Sequence, residues 1–295
     1  MARPAWHAHG LNRAGLYRAA AAVGARLPRS LRLRLAALLA RRLRPWFSAE
    51  WRVVLANAAR IAPTAPAAAR QGMAADVFRH FAMCFSDLVV TNRQDDLGPV
   101  VAELEGRRHF RAAAEAGQGL IVLTAHLGNW DLGGRLAAQV SGRPTHVVME
   151  AEHDPALEAM LRQGPPTVRF ITRRRPTDVL GLVAALRRGE IVAMQGDRAL
   201  GGRGDVPVPF FGAPVRFPLG PFLLARAAGV PVVPAFCVLQ PDRRYRVRAM
   251  EPIAVARGDE VGALGRWVAV LEQAVRDCPE QWFNFFDCWD VPSAA

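Results

Sequence analysis

Apolar and polar positions along the 295-residue chain follow two different rhythms. In residues 27–47 the apolar side chains recur at helical spacing, and steps of 100° place Leu27, Leu31, Leu35, Leu38, Leu39 and Trp46 within an arc of about 120°. Arg29, Arg34, Arg41 and Arg44 fall on the other side, Arg32 at the edge of the arc and Arg42 inside it. Residues 50–115 continue as helix, with a Pro-interrupted link at 63–66 and a second run from 73 to 90. From Gly117 onward, continuous apolar runs at 120–124, 145–149, 168–171, 191–194 and 230–238 read as buried strands. Helical stretches near 130–140, 154–163, 177–188 and 218–229 separate them, 244–250 alternates as an edge strand would, and 258–277 reads as a closing helix. This alternation predicts an α/β fold in which helices flank a mostly parallel central sheet buried on both faces.

Composition supports a folded chain: 51% hydrophobic and 22% charged residues are enough to build a sizeable core. The net charge of +12 is carried by arginine alone, since the chain contains no lysine. Ten arginines and a single acidic residue, Glu50, lie in residues 1–50, a local balance of +9 that leaves about +3 for the rest of the chain. This divides the chain into a basic, amphipathic N-terminal helical region over 1–50 and a nearly neutral body over 51–295. Such a segment suits an anionic lipid surface, or packs on its own domain. Nucleic-acid binding is disfavoured, because the charge sits at one end without a reading helix or an aromatic RNA-binding motif.

Cys84, Cys237, Cys278 and Cys288 form no C-x-x-C and have no close histidine, so neither a metal site nor a disulfide framework is expected. The longest uncharged runs, 116–130 and 227–241, are shorter than the roughly 20 residues of a spanning helix. No secretory signal is read at the N-terminus, and the expectation is a protein that does not cross the membrane.

The segment Gly119-Leu-Ile-Val-Leu-Thr-Ala-His126-Leu-Gly-Asn-Trp-Asp131 runs a buried strand into His126 and then into a helix. Carboxyl ends of such strands are where α/β sheets hold ligands. Across a strand-to-helix turn relaxed by Gly128, Asp131 would fold back onto the imidazole of His126 and make a general base. Backbone N–H groups of Gly128, Asn129 and Trp130 at the helix start are candidate donors to an oxyanion.

"AHLGNWDL" at 125–132 resembles the H-x4-D/E motif of the lysophospholipid and glycerophosphate acyltransferase superfamily, and in particular the bacterial lipid A biosynthesis (lauroyl/myristoyl) acyltransferases. A second block at 189–236, with Asp197, a Gly-rich loop, V-P-F-F-G and V-P-V-V-P, resembles the same family in the same order, so the likeness covers about residues 70–285. It implies a glycerophosphate-acyltransferase-like fold and transfer of a fatty acyl chain from an acyl carrier protein or coenzyme A thioester to a lipid hydroxyl. His126 matches the family's base and Asp131 its charge-relay acid. A hydroxyl attacking a thioester needs a base but no metal, cofactor or covalent enzyme nucleophile.

Other residues are candidates for substrate contact. Asp197 matches the family's Asp-Gln position, while Arg198 departs from it and would hold a phosphate or the pantetheine arm. Arg173, Arg174 and Arg175, between a strand and a helix, suit an acidic carrier protein or lipid phosphate; a solvated turn is the alternative. Phe210, Phe211 and Gly212 would shape an acyl or lipid pocket, or simply pack. His146 and His153 read as structural. The tail "PEQWFNFFDCW" at 279–289 opens like the family's P-E-Q-W but continues acidic and aromatic where the family is basic. The resemblance implies a lipid A precursor or related glycolipid as acceptor, and the departure of the tail makes a polyene-type or other membrane lipid the alternative. The resemblance places the chain peripherally on the cytoplasmic face of a bacterial inner membrane, its partners being acyl carrier protein, the lipid acceptor and the anionic surface. A non-catalytic membrane-binding protein is the competing class.

Overall fold

The computed structural model describes residues 14–91, 96–149, 158–159, 167–172, 177–199, 201 and 204–289. Four helices come first: α1 (Ala14–Arg26), α2 (Arg29–Leu43), α3 (Ser48–Ile61) and α4 (Ala67–Thr91). Then follow β1 (Val101–Glu105), α5 (Arg107–Glu115), β2 (Leu120–Thr124), α6 (Trp130–Ser141), β3 (Thr145–Met149) and β4 (Val168–Thr172). The chain continues through α7 (Thr177–Arg187), β5 (Ile191–Gln195), β6 (Asp205–Phe210), β7 (Ala213–Pro218), α8 (Gly220–Ala228), β8 (Val232–Leu239), β9 (Tyr245–Ala249) and α9 (Glu260–Asp277). A 3-10 turn, Pro279–Gln281, opens the tail.

Seven strands form one sheet in the order β1-β9-β8-β2-β5-β3-β4. All neighbours are parallel except β8 and β9. The α/β class with a mostly parallel sheet is thus as the patterning predicts. The central strands are buried along nearly their whole length, β8 at every residue, because helices cover both faces and only apolar runs such as Leu120–Thr124 tolerate that. β9 is not at the edge. It is covered by β1, whose Val-Ala-Glu-Leu-Glu alternation falls inside the stretch read as helical. A separate antiparallel ribbon, β6–β7, replaces the irregular loop expected after Asp197. Its Phe210 and Phe217 enter the core, while Pro207 and Pro209 stand exposed on the other face.

α2 packs on α4 through buried Leu33 and a buried polar contact, and not through the leucine arc read from the sequence. Arg29 and Arg32 pair with Asp87 at 2.6 and 2.9 Å, and Asp87 also accepts from the Tyr245 hydroxyl at 2.9 Å. Asp87 is completely buried, so two guanidiniums and a phenol satisfy a charge that would be costly alone. The arc predicted from sequence faces outward instead: Leu31, Leu35, Leu38 and Leu39 are exposed, and Trp46 is 77% exposed. Among the described residues no helix is long and apolar enough to cross a membrane.

Candidate active site

β2 delivers His126 to the carboxyl end of the sheet, between β8 and β5. Beyond it the chain turns sharply at Gly128, whose φ of +65° is a conformation that favours glycine. A Cβ there would meet the carbonyl oxygen of Cys237 at 2.1 Å, so the close approach of this loop to β8 also demands glycine. Asn129 caps α6 by accepting from the Leu132 N–H at 3.2 Å, and its own amide donates to the Tyr245 hydroxyl at 3.2 Å.

The carboxylate paired with the His126 ring is Asp197. Its Oδ1 lies 2.8 Å from Nδ1, and its Oδ2 accepts from the His126 backbone N–H at 3.0 Å and from Trp282 Nε1 at 3.2 Å. Asp197 follows β5, the parallel neighbour of β2, so the two strand ends bring the residues together. Burial alone would raise the carboxyl pKa. The charge of His126 and the bonds from it, with the charge of Arg198, outweigh that and hold it at about 2. A carboxylate only accepts, so the Nδ1 facing it is the protonated nitrogen, and in the neutral imidazole the basic lone pair is on Nε2.

The expected approach of Asp131 to the imidazole is not the arrangement found. Asp131 occupies the first turn of α6 and pairs with Arg135 one turn later at 2.9 Å, both largely buried. Burial raises its carboxyl pKa, and Arg135 opposes the rise. The sequence argument placed Asp131 by chain proximity; a residue within the helix instead finds its partner at i+4. Two of the three proposed oxyanion donors are also spent: Gly128 N–H donates to the Gln281 carbonyl at 2.9 Å and Asn129 N–H to the Cys237 carbonyl at 2.7 Å. Trp130 sits at the first helical position, and its ring meets that of His126 at 4.8 Å between centroids.

The tail is part of the site, which sequence reasoning missed. Gln281 pairs both ways with the backbone of Leu239, at 2.8 Å each, and the Phe283 N–H donates to the His126 carbonyl at 2.7 Å. Trp282, which holds Asp197, packs against Phe210 at 5.6 Å. The P-E-Q-W quartet was the available signal, and its Gln281 and Trp282 are both buried. Phe210 thus stands in the wall behind Asp197, whereas Phe211 and Gly212 form the ribbon turn, with Phe211 N–H bound to Glu272 of α9 at 2.7 Å. Arg198 donates to the Phe283 carbonyl at 3.1 Å and lies over the Phe286 ring. It therefore secures the tail. Arg173, Arg174 and Arg175, and the helix expected at 154–163 apart from Glu158 and Ala159, lie outside the described residues. His146 pairs with Glu190 at the opposite end of the sheet.

The family model described as "Bacterial lipid A biosynthesis acyltransferase" matches residues 6–290. The chain is 28% identical over 177 residues to a phosphatidylinositol mannoside acyltransferase of Mycobacterium tuberculosis strain H37Rv, covering 58% of this chain and 52% of that protein. It is 27% identical over 175 residues to the protein of the same name from Mycolicibacterium smegmatis, covering 57% and 53%. To the lipid A biosynthesis lauroyltransferase of Escherichia coli K12 it is 25% identical over 185 residues, covering 61% and 59%. The matches span about half the length of these curated relatives.

Proposed function

The chain belongs to the bacterial lipid A biosynthesis acyltransferase family, and on that premise we propose that it transfers a fatty acyl chain from an acyl carrier protein or coenzyme A thioester to a hydroxyl of a lipid A precursor or related glycolipid. The observation that carries this reading is the His126–Asp197 pair at the carboxyl end of the sheet. Asp197 fixes the imidazole with its proton on Nδ1, and Nε2 takes the proton of the acceptor hydroxyl. The alkoxide oxygen attacks the thioester carbonyl, and a tetrahedral oxyanion forms. As it collapses, the carbon–sulfur bond breaks and the leaving thiolate takes the proton back from Nε2. Asp197 stabilises the imidazolium throughout without being protonated itself. The role of carboxylate partner therefore falls to Asp197, and Asp131 with Arg135 sets the start of α6. The Trp130 N–H remains the candidate oxyanion donor of the three considered.

A glycolipid acceptor is favoured by the names of three relatives, all phosphatidylinositol mannoside acyltransferases. The site would meet its lipid from the cytoplasmic face of the inner membrane. α2 supports peripheral docking there: Leu31, Leu35, Leu38 and Leu39 form one exposed stripe, flanked by Arg34 and Arg41. A basic surface also steers an acidic carrier protein, with a rate that falls as salt rises. The test is transfer of label from an acyl thioester into extractable lipid: wild type transfers, and His126→Gln does not. Equal transfer by both proteins would remove His126 from the chemistry.

A further inference from the structure

Away from His126 the structure contains a half-open groove of about 740 Å³ between α2, α4, the β8–β9 turn and the 3-10 turn. We propose that it is a binding site for the phosphate headgroup of an anionic membrane lipid, distinct from the acceptor that is acylated. Arg34, Arg79 and Arg243 line it above an apolar floor that includes Met73, Met83 and Leu239. Of these arginines only Arg79 has a carboxylate partner among the described residues, Asp76 at 2.8 Å. Arg34 is exposed, and Arg243 spends one nitrogen on the Ser30 carbonyl at 3.1 Å. The carboxylates of Asp76 and Glu280 also line the groove, so its three guanidiniums leave a net charge of +1, and Arg34 and Arg243, neither of them ion-paired among the described residues, are the two that can recognise a phosphate by charge-assisted hydrogen bonds. His80, also on the wall, adds no charge: burial, and then the neighbouring Arg79, keep its pKa low.

The source of that phosphate follows from α2. Arg34 lies one turn from Leu31 and Leu38, so the helix that contributes to the groove also presents the exposed leucine stripe. With the stripe in the acyl layer, Arg34 sits at headgroup depth and the groove opens where lipid phosphates lie. Arg243 has a φ of +64°, a left-handed backbone unusual for arginine, and its side chain reaches back to α2. The floor suits the glycerol and first methylenes of a lipid better than a free ion. The 3-10 turn separates this groove from the catalytic loop: Pro279 and Glu280 line the groove, Gln281 binds Gly128 and Trp282 binds Asp197. The proposal rests on the membrane-docking reading of α2, but not on the acyl-transfer chemistry.

The test is calorimetric titration of the full chain with dihexanoyl phosphatidylglycerol below its micelle concentration. Saturable binding is expected, weakened at least about tenfold by Arg34→Glu and by Arg243→Gly, the latter suited to the positive φ. Leu38→Gln with Leu39→Gln should leave this binding unchanged while releasing the protein from anionic vesicles, which separates the groove from the stripe. The proposal is overturned if the arginine variants bind the lipid as wild type does, or if dihexanoyl phosphatidylcholine or inorganic phosphate binds as tightly. Tight carrier-protein binding that depends on Arg34 and Arg243, with no lipid binding, would overturn the proposal and assign the groove to the carrier instead.

Discussion

His126 and Asp197 are seventy-one positions apart in the chain, yet Nδ1 and Oδ1 stand 2.8 Å from each other because β2 and β5 are parallel neighbours ending at the same level. Asp197→Asn should lower kcat at least about a hundredfold with little change in KM for the thioester, since the amide holds the ring but cannot stabilise the imidazolium. Steady-state kinetics at saturating acceptor check this; an unchanged kcat would mean that another carboxylate partners the base.

Asp131 separates from Asp197 by rescue. Asp131→Asn leaves buried Arg135 without its partner and should cost about 3 kcal/mol of stability. Asp131→Asn combined with Arg135→Met removes both charges, and should recover most of the stability and the activity. Denaturant melts with parallel assays read both quantities. A double variant that is stable but inactive would give Asp131 a chemical role.

Acid sensitivity follows from the same buried carboxylate. Asp197 titrates at about 2 in the folded protein and near its ordinary value of 3.8 when unfolded. Its contribution is full above the unfolded value and is lost as pH falls toward 2, on the order of 2 kcal/mol in all. Urea melts between pH 5 and 2 should therefore show a steeper loss of stability for wild type than for Asp197→Asn.

The cysteines should be inert in the native protein. Burial pushes the Cys84 thiol up to about 12 and the half-buried Cys278 thiol up to about 11, so almost no thiolate exists near neutrality. Iodoacetamide at pH 8 is expected to leave both mass and activity unchanged, and to label all four cysteines only after unfolding. Rapid inactivation of the folded protein would implicate a thiol in the reaction.

Gly128→Ala should destabilise by more than about 2 kcal/mol, because a Cβ must displace the Cys237 carbonyl and the positive φ disfavours alanine. Thermal melts check this. A Tm equal to that of wild type would show that the loop is free to move off β8.

How much of this was legible in the sequence depended on whether the relevant physics was local. Strands β2 and β3 could be read to the residue because they are apolar runs bounded by turns. The ribbon β6–β7 escaped because Pro207, Pro209 and Pro214 argue against strand, and only its exposed face and antiparallel pairing accommodate them. β1 escaped because Glu103 and Glu105 make it look like a helix surface, whereas they pair with Arg246 and Arg248 of β9. His126 could be found from the strand that precedes it. Its partner could not, since Asp131 is near in sequence while Asp197 is near only once the sheet order is known. The outward leucine stripe of α2 was visible as a pattern, but its direction was set by Asp87, a buried acid that two arginines of the same helix must reach.

The most direct test of the central claim is mass spectrometry of a total bacterial lipid extract after incubation with acyl thioester and either wild-type protein, His126→Ala or Asp197→Asn. A glycolipid that gains one acyl chain with wild type, does so far more slowly with Asp197→Asn and not at all with His126→Ala is the predicted result. No acylated lipid with any of the three proteins, with thioester and extract verified intact, would contradict the assignment of acyl transfer to this site.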